Sequence, residues 1–237
     1  MYGLILRTIQ LLYSTWLVLG SVVHWLSFLL LDTLRPGRPS LAGLPEHVGI
    51  VIGVGEAPDT PRVAALVGWC AGAGIGRLTL CDPHGELLDR VDALRAELAA
   101  RGTSIEIETE TRSLPSAPAA VPGAGVRPLR LRVVSSHSGR AELVDAARAL
   151  CADARDGRLR PDSINEASID AALSRVHQTP EVGLVLQYCD EPLLGGLLPW
   201  HTRIAHYVHM GRLRNAREAA LYRALRECSG VTQRHGA

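Results

Sequence analysis

Two apolar runs, Val48–Val54, which is unbroken, and Gly183–Tyr188, whose one polar residue is Gln187, set the strongest limit on what this chain can fold into. A strand with one face in water alternates apolar and polar residues. A strand buried on both faces does not, and such strands belong to parallel sheets covered by helices. Between the two runs the period keeps changing. Arg77–Cys81, Ser104–Glu108 and Leu129–Val134 are short and strand-like, whereas Pro61–Ala73, Glu86–Ala100 and Arg140–Ala154 read as helices. In Glu86–Ala100 the apolar stripe is Leu87, Val91, Leu94 and Leu98. Thr60 followed by Pro61 reads as a helix start. Ser163-Ile-Asn-Glu166 reads as a capping box opening a helix to about Val176, and Asn215-Ala-Arg-Glu218 as a second, opening a helix with Leu221, Leu225, Cys228 and Val231. This alternation predicts an α/β fold: a mainly parallel central sheet flanked by helices. Residues 111–127, aperiodic and rich in Pro, Ala, Ser and Gly, predict a flexible surface loop.

The N-terminus follows another rule. From Leu11 to Leu31 no side chain carries a formal charge, and His24 is the only group that ionises near neutral pH. About 20 apolar residues, at ~1.5 Å each, cross a bilayer core. Arg7 stands before the stretch, Asp32, Arg35 and Arg38 follow it, and Tyr13, Trp16 and Trp25 suit the interfaces. The expectation is a hydrophobic membrane-anchor helix in residues 1–34, a linker over 35–43 and a domain over 44–237. The alternatives are a cleaved signal peptide and a buried core helix. A signal peptide has an apolar region of only ~7–15 residues before a small-residue cleavage site, which Leu31-Asp-Thr-Leu-Arg-Pro36 does not supply. Arg7 opposes Arg35 and Arg38, so charge alone leaves the topology open.

Other features exclude more than they assign. The net charge of +1 lacks the basic footprint of a nucleic-acid binder. Cys70, Cys81, Cys151, Cys189 and Cys228 form no CxxC pair and read as reduced, mostly buried thiols rather than a zinc site or a disulfide framework. Gly53-Val-Gly55 follows a strand but lacks the third glycine of a dinucleotide loop. Gly72-Ala-Gly-Ile-Gly76 leads from a helix into a strand, the reverse of phosphate capture, and reads as a helix C-cap and turn. Asp82-Pro-His-Gly85 reads as a strand-to-helix turn. His201, His206 and His209 match no metal spacing and read as solvated or capping residues. The sequence holds no GxSxG nucleophile motif.

Three separated segments carry a resemblance. Leu44-Pro-Glu-His-Val-Gly-Ile-Val-Ile52 opens the domain; Val67-Gly-Trp-Cys-Ala-Gly-Ala-Gly-Ile-Gly-Arg-Leu-Thr-Leu-Cys-Asp-Pro-His-Gly85 follows; Gly183-Leu-Val-Leu-Gln-Tyr188 leads to Leu197-Leu-Pro-Trp-His201. The chain then ends in Gln233-Arg234-His235-Gly236-Ala237. In this order they resemble the Nogo-B receptor group, the accessory subunits of dehydrodolichyl diphosphate synthase within the cis-prenyltransferase family. The resemblance runs from about Leu44 to the C-terminus.

That family elongates farnesyl diphosphate with isopentenyl diphosphate, using Mg²⁺ held by an Asp after the first strand and arginines that grip diphosphate oxygens in pairs. Here Gly53 stands at the Asp position. The family's later Arg-x-Ser-x-Glu-x-Arg aligns with Gln187-Tyr-Cys-Asp-Glu-Pro-Leu193, which keeps only Glu191. The resemblance therefore implies a transferase subunit that is inactive alone, with no catalytic residue and no metal ligand of its own. Its Mg²⁺ would be bound mainly by a catalytic cis-prenyltransferase partner. It further implies that the tail, residues 233–237, crosses to that partner, where Arg234 and Gly236 meet isopentenyl diphosphate phosphates. Arginine supplies a planar fork, and glycine lets backbone N–H approach an oxygen closely. The setting implied is dolichol synthesis for protein glycosylation, in a single-pass protein of the endoplasmic reticulum membrane with its C-terminal domain in the cytosol. The other reading is a membrane receptor or scaffold of the same fold with no part in catalysis.

Overall fold

The computed structural model describes residues 43–53, 58–103, 105–108, 128–177 and 179–230. Among them six strands form one sheet: β1 (His47–Ile52), β2 (Arg77–Cys81), β3 (Ile105–Glu108), β4 (Leu129–Val134), β5 (Leu184–Tyr188) and β6 (His206–His209). The order is β3-β4-β2-β1-β5-β6, and every pairing is parallel. β1 is central and buried at all six positions, as its unbroken apolar run requires. In register, Gly49 faces Thr79 of β2, and Ile52 faces Tyr188 of β5.

The helices are α1 (Thr60–Gly72), α2 (Glu86–Asp89), α3 (Val91–Ala100), α4 (Ser136–Arg155), α5 (Glu166–Val176) and α6 (Glu218–Ser229). Val48, Ile50 and Ile52 point to one side of the sheet, where they meet Leu66, Val67 and Cys70 of α1, Leu94 and Leu98 of α3, and Leu221 and Leu225 of α6 in one continuous core. Val51, Cys81, Val134 and Val185 point to the other side, under Leu197 and Leu198. There α4 and α5 pack on each other through Ala146, Leu150, Ala172 and Leu173.

The α/β class and parallel sheet are as predicted, and several boundaries shift for local reasons. The helix predicted over Glu86–Ala100 is two helices that break at Arg90. The N-cap position of α1 is Asp59 rather than Thr60. Ser163 lies in a short 3₁₀ turn, and the capping box of α5 is formed by Asn165 with Ser168. α4 begins at Ser136, four residues before the predicted start, because Ser135 and Ser138 cap it reciprocally. α6 begins at Glu218, with Arg217 rather than Asn215 as its cap residue.

One expectation is corrected. No helix among the described residues is long and apolar enough to cross a membrane. The longest, α4 with 20 residues, carries Arg140, Glu142, Asp145, Arg148, Asp153 and Arg155, too many charges for a span of that length. The single-pass membrane localisation is therefore not borne out. The predicted anchor over 1–34, nearly all of the linker, the loop over 111–127 and the tail over 233–237 lie outside the described residues.

Candidate functional site

In an open parallel sheet, ligands bind beyond the carboxyl ends of the strands, where successive connections diverge. Here β1 leads through α1 to β2 on one side, while β5 leads to β6 on the other. The divergence therefore falls between the ends of β1 and β5, and the two segments that depart from the family pattern, Gly53 and Gln187–Leu193, come together there. The Gly53 amide donates to the Tyr188 carbonyl at 2.7 Å. A Cβ at residue 53 would stand 2.4 Å from Cys189 Cβ and 2.7 Å from its Cα. Cys189 thus occupies the space that an aspartate side chain would need.

Of the neighbouring groups, Gln187 and Leu193 face inward. Gln187 is buried and donates through Nε2 to the Leu193 carbonyl at 2.8 Å, so its amide holds the loop. Leu193 packs on the apolar cluster around Val51 and Cys81. Glu191 is exposed, and the adjacent Asp190 pairs with Arg212. His209 Nε2 lies 2.8 Å from the Cys189 carbonyl. Cys81 Sγ donates to the Gly195 carbonyl at 3.3 Å. Burial, helped by Asp82, pushes the Cys81 thiol up to about 12, and burial raises Cys189 as well, so both thiols stay protonated at neutral pH. The loop that follows sits directly on α4: a Cβ at Gly139 would lie 2.0 Å from the Gly196 carbonyl oxygen.

Beneath it lies a polar group of residues that sequence reasoning missed. Arg132 of β4 forms an ion pair with Glu142 of α4, and Thr179 donates to the same Glu142 oxygen at 3.3 Å. His201 Nε2 stands 3.4 Å from Glu142 Oε2, and His177 Nδ1 3.8 Å from Glu142 Oε1. Burial alone would raise the Glu142 carboxyl, but His201, Arg132 and His177 together bring it down to about 2. Nearby, His47 is buried between the Pro180 carbonyl at 3.0 Å and Thr79 Oγ1 at 2.9 Å, and burial lowers it to about 4. An arginine in the middle of a buried strand was the available signal, since such a charge needs a buried partner.

The remaining motifs resolve simply. Gly74 and Ile75 bond back to Ala71 and Cys70 carbonyls, a helix end as expected. Asp82 accepts from the His84 and Leu87 amides at 3.1 and 2.8 Å, also a turn as expected. His201 departs from the solvated reading, being only 6 % exposed. No group of three or more His, Cys, Asp or Glu among the described residues could hold a metal ion.

No family model matches the chain. It is 28% identical over 210 residues to dehydrodolichyl diphosphate synthase complex subunit NUS1 of Homo sapiens, covering 85% of this chain and 70% of that protein. To the corresponding subunit of Mus musculus it is 25% identical, covering 83% and 67%. The solved structure of lavandulyl diphosphate synthase from Lavandula x intermedia superposes with a TM-score of 0.59 at 21% identity, covering 82% of this chain and 99% of that one. The fold is that of the cis-prenyltransferases. The sequence resemblance to subunits of the dehydrodolichyl diphosphate synthase complex stands.

Within the cis-prenyltransferase fold, the Mg²⁺ position can be tested directly. Gly53 offers no carboxylate, and Cys189 fills its place. The described residues at this position do not fit the ion, whose hard charge needs oxygen ligands. Arg234 and Gly236 lie outside the described residues.

Proposed function

We propose that this chain is the non-catalytic subunit of a heteromeric cis-prenyltransferase, a dehydrodolichyl diphosphate synthase, and lends Arg234 and Gly236 to a catalytic partner. That partner elongates farnesyl diphosphate with isopentenyl diphosphate to a long-chain polyprenyl diphosphate for dolichol synthesis and protein glycosylation, and it holds the Mg²⁺. The observation that carries the reading is the packing of Cys189 against Gly53, which leaves this chain no place for the metal-binding aspartate. Relatives named as subunits of a complex support it. So does the course of α6: a Cβ at Gly43, just before β1 begins, would lie 3.5 Å from the Ser229 carbonyl oxygen at the end of α6. The chain therefore leaves α6 at the end of the sheet opposite the crevice, which suits a tail used by another chain.

Kinetics on the complex co-expressed with its partner test this. Arg234→Ala and Gly236→Ala should each leave the complex assembled and lower turnover, by roughly tenfold to a hundredfold for the arginine, the worth of one charge-assisted phosphate contact. Arg234→Lys should restore part of the loss, keeping the charge without the fork. Wild-type turnover in both alanine variants, at limiting and saturating isopentenyl diphosphate, would refute the reading and leave a receptor or scaffold of the same fold.

A further inference from the structure

A groove of about 480 Å³ runs beside α1 where that helix meets the segment between β6 and α6. One wall is the stripe Arg62, Ala65 and Trp69, which share a face of α1; the other is Arg214, Asn215, Ala216 and Arg217. Ala65, small between two large side chains, leaves the floor open. Three guanidinium groups line the groove against one carboxylate, Asp59, which lies 3.5 Å from Arg62. Both helices that border it begin there, α1 at Thr60 and α6 at Glu218, and neither N-cap residue makes a side-chain capping bond. The positive end of the α1 dipole, whose first turn holds no acidic residue, therefore adds to the arginines, whereas Glu218 offsets that of α6. Half-buried Trp69 supplies an aromatic surface beside them.

We propose that this groove binds a phosphate-bearing ligand, with its phosphate oxygens between Arg62, Arg214 and Arg217 and its organic part against Trp69. Arginine forks match phosphate oxygens in pairs, which is the chemistry that favours phosphate over a simple anion. The groove shares no lining residue with the crevice at Gly53, so the proposal stands whether or not the tail serves a partner. A soluble phosphate ester and an anionic lipid headgroup present the same chemistry.

Two measurements on the full chain separate these sources: calorimetric titration with inorganic diphosphate, and flotation on phosphatidylcholine vesicles with and without phosphatidylserine. The double substitution Arg214→Gln/Arg217→Gln should weaken binding by about tenfold or more. Arg226→Gln, on the exposed last turn of α6 and outside the groove, should change it by less than about twofold, as expected of a distant, screened charge. Ala65→Leu fills the floor without altering charge and should also weaken binding, which keeps the test valid if the double variant folds poorly. Saturable diphosphate binding with this pattern assigns a soluble ligand. The same pattern with phosphatidylserine vesicles alone assigns a headgroup. Absence of both, or an equal loss with Arg226→Gln, overturns the proposal.

Discussion

On one face of the sheet, Val48, Ile50 and Ile52 meet α1, α3 and α6 through aliphatic side chains, and the titratable groups there, Cys70 and Tyr188, are both pushed up by burial and remain neutral. On the other face, below the crevice, Arg132, Glu142, His177, His201 and His47 crowd under α4 and α5; Glu142 is held charged and His47 uncharged. The first face draws its stability from apolar area and is indifferent to acid. The second depends on protonation states that the unfolded chain does not share, so acid should undo the molecule from one side.

The largest effect that tests this contrast is Glu142→Gln, which leaves the half-buried Arg132 charge without its partner. A loss of about 3–5 kcal/mol is expected, read as a shift in urea midpoint; a negligible shift would mean that water already screens the pair. Next is Leu66→Ala on the apolar face, where the residue is fully buried. It should cost about 3 kcal/mol by cavity formation, and equally at pH 7 and pH 4.5.

The third effect is pH itself. His47 has a folded pKa of about 4 against 6.5 unfolded, so between these values the unfolded chain binds the proton. Its stabilisation is full above pH 6.5 and is lost as pH falls to about 4, up to about 3 kcal/mol for that interval. For Glu142 the window runs from 4.5 unfolded to about 2 folded, so its contribution is full above pH 4.5 and lost below. Denaturant midpoints against pH should fall through the first window, and His47→Gln should flatten that fall. The smallest effect is Asn165→Ala, which removes the exposed cap whose Oδ1 accepts from Ser168 at 3.0 Å. It should cost about 1 kcal/mol in thermal unfolding, independent of pH over both windows.

Much of the architecture was legible because the periods were clean. β2 and β4 match their predicted spans, and the apolar stripe of α3 is buried at Val91, Leu94 and Leu98 as read. β6 escaped notice because His206-Tyr-Val-His209 is an edge strand, only half-buried, and its histidines resemble a polar loop. At the crevice, the missing charges at Gly53, Gln187 and Leu193 were legible by alignment. The reason that none can be regained at Gly53, the seating of Cys189, was not, because it depends on how two parallel strands end side by side. The polar face was invisible for a similar reason: Arg132, Glu142, His177 and His201 span 70 positions of sequence and converge only through the packing of α4, α5 and the segment after β5.

The contact between Gly43 and Ser229 has a mechanical consequence. Load passed along the polypeptide would enter and leave the domain at neighbouring points, so the strands would lie off the line of tension. β1 is gripped by ladders on both sides. α6, by contrast, is held mainly by Leu221, Ala224 and Leu225, and a pull on the tail would peel this helix away while the sheet stayed whole.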